Sequence, residues 1–199
     1  AAWLSGAAVG PPPPLCPECT AAYNDSAWAL VDAPHDYIVA LPLVANTSVN
    51  NCVSGGSCFP RRDAVYRKHF ALPLAWRGDR VALRFEGVYR MASVYLNGQL
   101  LARYGGGLDA VTHSAVSDSA YTEFTVRLDN ATNATWGPDA PNVVAVHVDG
   151  SYGTEHWYAG AGLYRSVHLE HTALALLDVG SLFFPTTVQL ADSSATATV

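Results

Sequence analysis

The residues best suited to chemistry lie together at positions 148–158, which read Val-Asp-Gly-Ser-Tyr-Gly-Thr-Glu-His-Trp-Tyr. The carboxylate of Asp149 can accept hydrogen bonds from the hydroxyl groups of a ligand. The flat rings of Trp157 and Tyr158 can stack on the apolar face of a sugar. A structural role fits the same residues, because Asp149 can end a strand in a turn with Gly150 and the aromatic pair can pack against a second domain.

Four cysteines form a second chemical group in two turn-rich segments. Cys16 and Cys19 have the Cys-x-x-Cys spacing of zinc ligands, whereas Cys52 and Cys58 are separated by five residues, which exceeds that spacing. Disulfides are therefore the favoured interpretation, with closure of a loop between Cys52 and Cys58 as a plausible pairing in oxidising surroundings. Free thiols and a zinc site remain alternatives.

Acceptor sequences for N-linked glycans indicate where the chain is made. Four Asn-x-Ser/Thr sequences fall in segments that resemble loops, at Asn24, Asn46, Asn130 and Asn133. Such sequences also arise by chance in chains rich in Ser and Thr. Together with the cysteines they predict a glycoprotein that is secreted or resides in another secretory-pathway compartment.

Composition limits the classes of protein and partner. The chain has 199 residues, enough for one domain with a filled core or for a domain plus a fragment of another. Its net charge of −6 and single lysine, Lys68, argue against a nucleic-acid partner. No apolar run approaches the ~20 residues that span a bilayer, so no membrane association is expected. The first residues show no signal peptide, as expected of a mature or excised segment.

The elements that must position these residues are short strands. Within residues 80–98, apolar side chains alternate up to Phe85, a turn follows, and a second strand ends at Asn97-Gly98. Asn-Gly between apolar runs is a strong hairpin signal, because both residues tolerate positive φ. Further strands are predicted at residues 64–72, 99–104, 123–128, 142–148 and 163–170.

This pattern predicts the fold class and the domain organisation. Many short strands separated by Gly, Pro and Asn turns, with no helical stretch of useful length, favour an all-β, antiparallel two-sheet sandwich. Residues 1–22, with four consecutive prolines, are predicted to be a linker or strap. Residues 23–172 are predicted to form the sandwich, and residues 173–199 the first strands of a new unit.

Four segments in order resemble a known family. They are Tyr-Arg-Lys-His-Phe at 66–70, Phe-Glu-Gly-Val-Tyr at 85–89, Val-Tyr-Leu-Asn-Gly at 94–98 and Trp-Tyr-Ala-Gly-Ala-Gly-Leu-Tyr-Arg at 157–165. The combination resembles the N-terminal sugar-binding domain of glycoside hydrolase family 2, the β-galactosidase, β-glucuronidase and β-mannosidase family, and covers residues 28–170. The resemblance implies a jelly-roll sandwich of the galactose-binding-domain type, followed by an immunoglobulin-like domain and a catalytic barrel.

The resemblance also gives the stretch 148–158 a role. In bacterial β-galactosidases a similar Asp-Gly-Ser-Tyr loop reaches the mouth of the barrel, where its aspartate meets the sugar and a monovalent cation. It implies that Asp149 is a substrate and metal ligand, with Tyr152, Trp157 and Tyr158 as further substrate-binding candidates. A carboxylate suits both tasks, because its oxygens accept hydroxyl hydrogen bonds and ligate hard cations. No other cofactor is expected.

Catalysis itself is not expected of this chain. Retaining glycosidases need two carboxylates about 5 Å apart, and in the family both are glutamates of a barrel that needs about 250 residues. The resemblance therefore implies a non-catalytic carbohydrate-binding domain of a glycosidase that hydrolyses O-glycosidic bonds, with β-galactosides or β-glucuronides as substrates and the following domains as partners. The alternative is a free-standing lectin-like or structural β-sandwich module.

Overall fold

The computed structural model describes residues 3–8, 16–43, 59–60, 62–104, 121–150, 158, 160–176, 183, 185, 187–191 and 194–198. These residues form strands and two 3₁₀ turns, Pro17–Cys19 and Leu74–Trp76, but no α-helix. The strands are β1 Trp3–Ala8, β2 Ala29–Val31, β3 Asp63–Phe70, β4 Arg80–Phe85, β5 Met91–Leu96, β6 Gln99–Tyr104, β7 Phe124–Arg127, β8 Asn142–Asp149, β9 Val167–Thr172, β10 Thr187–Ala191 and β11 Ser194–Thr198. The prediction of an all-β chain is confirmed.

The strands of the sandwich form two sheets. The larger sheet has the order β2-β1-β3-β8-β5-β6 and the smaller has the order β7-β4-β9, with antiparallel pairing throughout. The predicted antiparallel two-sheet sandwich is therefore confirmed. Among the strands that the structure describes, β10 and β11 pair with each other and with no third strand. Whether residues 173–199 begin an immunoglobulin-like domain stays a prediction.

The core lies between the two sheets. Side chains that alternate along the strands meet there, since every second residue of a strand points to the same face. The largest of them are Tyr66, Phe85, Leu96, Val94 and Val146, each fully buried. Burial of an apolar side chain of this size stabilises the fold by about 1.5–3 kcal/mol, so this layer holds the sheets together.

Strands β4 and β5 do not pair with each other. Strand β4 lies between β7 and β9 in the small sheet, whereas β5 lies between β8 and β6 in the large one. The pattern at residues 80–98 predicts two strands and a turn, but the turn carries the chain from one sheet to the other. The hairpin is the next pair, β5 and β6, whose turn residues Asn97 and Gly98 have φ of 48° and 87°.

Residues 3–8 differ from the prediction of a linker or strap. They form β1, which pairs with β2 on one side and with β3 on the other. Backbone hydrogen bonding to two neighbours supports this strand, and the sequence Trp-Leu-Ser-Gly-Ala-Ala shows little alternation that would have revealed it. The prolines at 11–14 lie outside the described residues.

A segment after β1 covers the outer face of the large sheet. We call residues 16–28 the strap. Cys16 and Cys19 are joined by a disulfide, and both pack on Val65 together with Tyr95 and Ala145. Cys52 and Cys58 lie outside the described residues, so the interpretation of that pair stays a prediction.

The strap is held by a buried arginine of β3. The Arg67 side chain has no exposed surface, and its Nε donates to Asp25 Oδ2 at 2.7 Å. Its Nη1 donates to the carbonyl oxygens of Glu18 and Thr20, and Nη2 donates to that of Tyr23 at 3.4 Å. Partial burial alone would raise the pKa of Asp25, but hydrogen bonds from Arg67 and His69 outweigh it and lower that pKa. The charge of Arg67 is thus matched by partners from the strap.

Candidate functional site

Asp149 lies at the end of β8, at one end of the sandwich. It is half-buried and stands opposite Met91, the first residue of β5. Because side chains alternate along a strand, Asp149 shares the outer face of the large sheet with His147. His147 Nε2 lies 3.2 Å from Asp63 Oδ2, and both side chains are buried. The predicted ligand Asp149 therefore lies two residues after His147, whose side chain is held against Asp63 in the sheet.

The residue after Asp149 packs closely against Tyr37. A Cβ atom at Gly150 would lie 2.6 Å from the carbonyl oxygen of Arg62 and closer still to the Tyr37 hydroxyl. That hydroxyl donates to the same carbonyl oxygen. Burial, followed by the nearby Tyr66 and the carboxylates of Asp63 and Asp149, raises the pKa of Tyr37. Tyr37 is therefore a neutral donor that fixes the chain where it leaves β8.

The other end of the stretch is held by Asp36. Tyr158 donates its hydroxyl to Asp36 Oδ2 at 2.5 Å, and the backbone N–H of Ala161 donates to the same oxygen at 3.0 Å. Asp36 Oδ1 accepts the backbone N–H groups of Ile38 at 3.0 Å and Val39 at 3.4 Å. Burial and the bond to Asp36 raise the pKa of Tyr158. One carboxylate therefore satisfies four donors from two distant parts of the chain.

His35 completes the attachment to the sandwich. Its backbone N–H donates to Leu163 O at 2.7 Å, and its Nδ1 lies 3.0 Å from the Tyr66 hydroxyl. Burial lowers the pKa of His35, and the charge of Asp36 opposes this. Gly162 packs against both His35 and Tyr66. A Cβ atom at Gly162 would lie 2.8 Å from the carbonyl oxygen of His35 and closer still to the Tyr66 hydroxyl.

Residues 35–37 therefore act on both ends of one stretch, and we call them the clamp. Tyr37 contacts Gly150 at its start, and Asp36 binds Tyr158 at its end. Pro34 and Asp36 are residue types that favour turns, and the structure shows which segment this turn holds. That signal is local, and nothing in it indicates the distant segment.

The structure describes two of the four predicted substrate residues. Asp149 and Tyr158 lie at opposite ends of the clamped stretch, while Tyr152 and Trp157 lie outside the described residues. The Tyr158 ring packs against Phe59 with a centroid distance of 4.8 Å, and its hydroxyl is bound by Asp36. These contacts favour the packing role for Tyr158.

A tyrosine cluster at the same end was not identified from the sequence. The ring of Tyr121 lies 5.3 Å from that of Tyr89 and 6.0 Å from that of Tyr164. Tyr89 is tied to the clamped region, because it exchanges two backbone hydrogen bonds with Gly162. Tyr121 is 48% exposed, so its ring can meet a ligand at this end. No spacing rule links these positions, because three separate connections bring them together.

The glutamates of the small sheet form ion pairs. Arg84 in β4 lies 2.6 Å from Glu170, 2.7 Å from Glu123 and 3.6 Å from Glu86. A hydrogen bond from His168 lowers the pKa of Glu86. Each of these carboxylates faces the Arg84 guanidinium on the outer surface of the small sheet.

The geometry at Gly162 gives a direct test of how tightly the clamp is packed. Gly160 and Gly162 both have positive φ, of 99° and 82°, but a Cβ at Gly160 would meet nothing within 4 Å. We expect Gly160→Ala to lower the free energy of unfolding by about 1–2 kcal/mol through backbone strain. Gly162→Ala should cost about 1–3 kcal/mol more, because its methyl group displaces Tyr66 or His35. Urea denaturation measures both, and equal losses would show that the clamp tolerates the methyl group.

Comparisons with known proteins place this fold. The chain is 30% identical over 151 residues to a β-galactosidase, BoGH2A, of Bacteroides ovatus, a match that covers 75% of the chain and 15% of the relative. It superposes on the crystal structure of a β-glycosidase from Bacteroides vulgatus with a TM-score of 0.67 and 28% identity, over 86% of the chain and 19% of that structure. A β-glucuronidase of glycoside hydrolase family 2 shares the fold, with a TM-score of 0.62 and 24% identity over 84% of the chain and 16% of that structure. No protein-family model matches.

The fold and the clamped stretch define a β-sandwich domain of the kind found in β-glycosidases. Its relatives consistently point to glycoside hydrolase family 2, and the chain is a domain of the family 2 type. It spans less than a fifth of the length of the curated relatives that it matches along most of its own length. Among the described residues, no helix is long and apolar enough to cross a membrane.

Proposed function

We propose that this chain is the non-catalytic carbohydrate-binding domain of a family 2 glycosidase, and that residues 149–158 form one wall of the sugar pocket. The observation that carries the proposal is the clamp, which fixes both ends of this stretch through Gly150 and Tyr158. A binding loop gains affinity when its conformation is set in advance, because less entropy is lost on binding. The contacts of Gly150 with the buried Tyr37 and of Tyr158 with Asp36 support such a pre-set conformation.

The chemistry of the described residues supports a polyhydroxylated ligand. Asp149 offers a half-buried carboxylate, which can accept hydrogen bonds from two hydroxyl groups. Tyr121 offers an exposed ring at the same end of the sandwich. A few directed polar groups beside aromatic surface are typical of small-molecule sites.

The remaining parts of the pocket would come from the same polypeptide. The names of the relatives, a β-galactosidase and a β-glucuronidase, support β-galactosides or β-glucuronides as substrates of the whole protein. In this proposal an immunoglobulin-like domain and a catalytic barrel follow the chain, and the barrel supplies the acid/base and nucleophile carboxylates. The domain itself binds and orients the sugar.

The cation implied by the family does not enter the proposal. Within the described ranges no group of three or more His, Cys, Asp or Glu side chains is arranged to hold a metal ion. Asp149 alone would contribute one carboxylate, which is too few ligands to define a site. We therefore derive no step through a cation.

The decisive experiment uses the native polypeptide that carries this chain. We expect it to hydrolyse an aryl β-galactoside or β-glucuronide, and Asp149→Asn to lower kcat/KM by about 10- to 150-fold, the equivalent of one lost hydrogen bond to a charged group. The control is Asp139→Asn, which replaces an exposed carboxylate and should leave kcat/KM unchanged. Equal kinetics of the two variants would remove Asp149 from the pocket.

Calorimetry of this chain alone separates the alternatives. Because the chain supplies one wall of the pocket, its affinity for galactose or glucuronic acid should be weaker than about millimolar, a range in which few directed contacts are made. Micromolar affinity would favour a free-standing lectin-like module. A native polypeptide no larger than this chain, without hydrolytic activity, would favour a structural module.

A further inference from the structure

Two glycan acceptor sequences stand three residues apart between β7 and β8, and the fold treats their asparagines differently. Asn133 lies under the hairpin turn that joins β5 to β6. Its Nδ2 donates to Leu96 O at 3.0 Å and to Asn97 O at 3.1 Å. In return, Asn97 Nδ2 donates to Asn133 O at 2.8 Å. The Asn133 amide nitrogen is therefore committed to the turn.

The direction of the Asn133 amide follows from its surroundings. Two carbonyl oxygens face the nitrogen, so the donor end of the amide must point toward them. Its Oδ1 is buried as well. An N-linked glycan is attached through Nδ2, so a sugar there would replace one of its two hydrogens, break one of the two bonds to the turn and place a bulky group against the turn. A glycan on Asn133 is therefore incompatible with the native hairpin.

Asn130 has the opposite environment. It is exposed, and its side chain makes no hydrogen bond to any residue that the structure describes. The third residue of its acceptor sequence, Thr132, bonds through its backbone N–H and its hydroxyl to Gln99 Oε1 at 3.1 and 3.0 Å. Gln99 is the first residue of β6, so the turn that carries Asn130 is held beside that strand.

Asn130 also stands beside two strands that, among the described residues, are the outermost of their sheets. These strands are β6 and β7. A cleft of about 280 Å³ lies between them, lined by Gln99, Leu100, Leu101, Ala102, Thr125, Val126, Arg127 and Asn130. Leu100 is 40% exposed in this cleft. Unpaired strand edges beside apolar surface invite pairing with other chains, and proteins commonly cover them.

We propose that Asn130 carries an N-linked glycan that covers β6 and β7, the outermost described strands of the two sheets, and that Asn133 is unmodified in the native protein. The modification requires synthesis in a secretory pathway, which supplies an oligosaccharide on a lipid pyrophosphate. Nδ2 loses one proton and forms a bond to the anomeric carbon, while the bond from that carbon to the phosphate oxygen breaks and the lipid pyrophosphate leaves. This inference is independent of the proposed sugar pocket.

Site mapping on the unaltered chain is the primary test. The chain is secreted from a eukaryotic cell behind a cleavable signal and is then treated with an amidase that converts each glycosylated Asn to Asp in ¹⁸O-labelled water. We expect fragment spectra to show labelled Asp at position 130 and Asn at position 133. A glycan on Asn133, or an unmodified Asn130 in the secreted chain, would overturn the proposal.

A pair of conservative variants separates the two asparagines by a second property. Asn130→Gln should remove one glycan and leave the melting temperature of the enzymatically deglycosylated chain unchanged, because the Asn130 side chain makes no hydrogen bond to any described residue. Asn133→Gln should keep every glycan and lower that melting temperature, because the longer amide cannot reach both turn carbonyls. The reverse assignment would contradict the structural argument.

The covering role predicts an effect on association. At equal concentration, the secreted Asn130→Gln chain should aggregate faster on heating than the glycosylated parent, as measured by light scattering. A matched control is Asn24→Gln, which alters an exposed acceptor in the strap, in a different connection of the chain from the one that joins β7 to β8. If Asn24→Gln accelerates aggregation as much as Asn130→Gln does, the glycan acts through general solubility and the proposed covering of β6 and β7 is wrong.

Discussion

Replacing Arg67 with methionine should lower the free energy of unfolding by about 3–5 kcal/mol, the largest loss that we expect from any single substitution in the described sandwich. Methionine fills much of the same volume but leaves Asp25 without its partner in the sheet. It also leaves the carbonyl oxygens of Glu18 and Thr20 without a donor from β3. Urea denaturation of the parent and the variant gives the difference.

A conservative change should not rescue this position. Arg67→Lys keeps the positive charge, but an ammonium group cannot reproduce the fork that reaches a carboxylate and several carbonyl oxygens at once. We expect its loss of stability to approach that of Arg67→Met. Arg77 is exposed, and Arg77→Met serves as the matched control, with an expected change within about 0.5 kcal/mol.

Hydrogen exchange shows whether the loss acts through the strap. Backbone N–H groups in residues 16–28 should exchange faster in Arg67→Met, while those of β4 in the other sheet change less. If exchange increased uniformly, Arg67 would contribute to the whole sandwich rather than to the attachment of the strap. If the free energy of unfolding were unchanged, the cost of burying the Arg67 charge would equal the stabilisation that its hydrogen bonds provide.

Replacing Asp36 with asparagine should destabilise the fold by about 2–4 kcal/mol and release the end of the clamped stretch at Tyr158. The amide keeps one acceptor oxygen, but its NH₂ group meets the donors of Tyr158 and Ala161, which then lack an acceptor. Each unsatisfied buried polar group costs about 1–3 kcal/mol. Chemical denaturation measures the change in stability.

Limited proteolysis measures the release directly. In Asp36→Asn, cleavage between positions 150 and 158 should become faster than in the parent at a temperature where both are folded. Asp139→Asn removes an exposed carboxylate and should leave the cleavage rate unchanged. If Asp36→Asn lost stability without faster cleavage in this stretch, the clamp would support the core alone, and the observation behind the proposed function would be lost.

The strands were predictable where one face is buried and side chains alternate. Val81, Leu83 and Phe85 indicate β4, and Asn97-Gly98 indicates the hairpin, because both signals are local. Which strands pair with each other depends on residues that are distant in the sequence. The same alternation is compatible with pairing of β4 and β5 or with their separation into two sheets, and burial of the common core decides between them.

The site was predictable in part for the same reason. Asp149 and Tyr158 stand in one recognisable stretch, whereas the clamp that holds them comes from residues 35–37. Arg67 is an instructive omission, because arginine is almost never fully buried unless it is paired. Its partners lie more than 40 positions earlier in the chain, and no periodicity links them to β3.

The distance along the chain between the two sides of the clamp bears on how the domain folds. Asp36 is 122 residues from Tyr158 and 125 residues from Ala161. Contacts between such distant positions form only after the intervening chain has been ordered, because closing so large a loop costs entropy before the contact stabilises anything. The hydrogen bonds of Asp36 to Tyr158 and Ala161 would therefore be among the last native contacts to form, after the strands between them have paired.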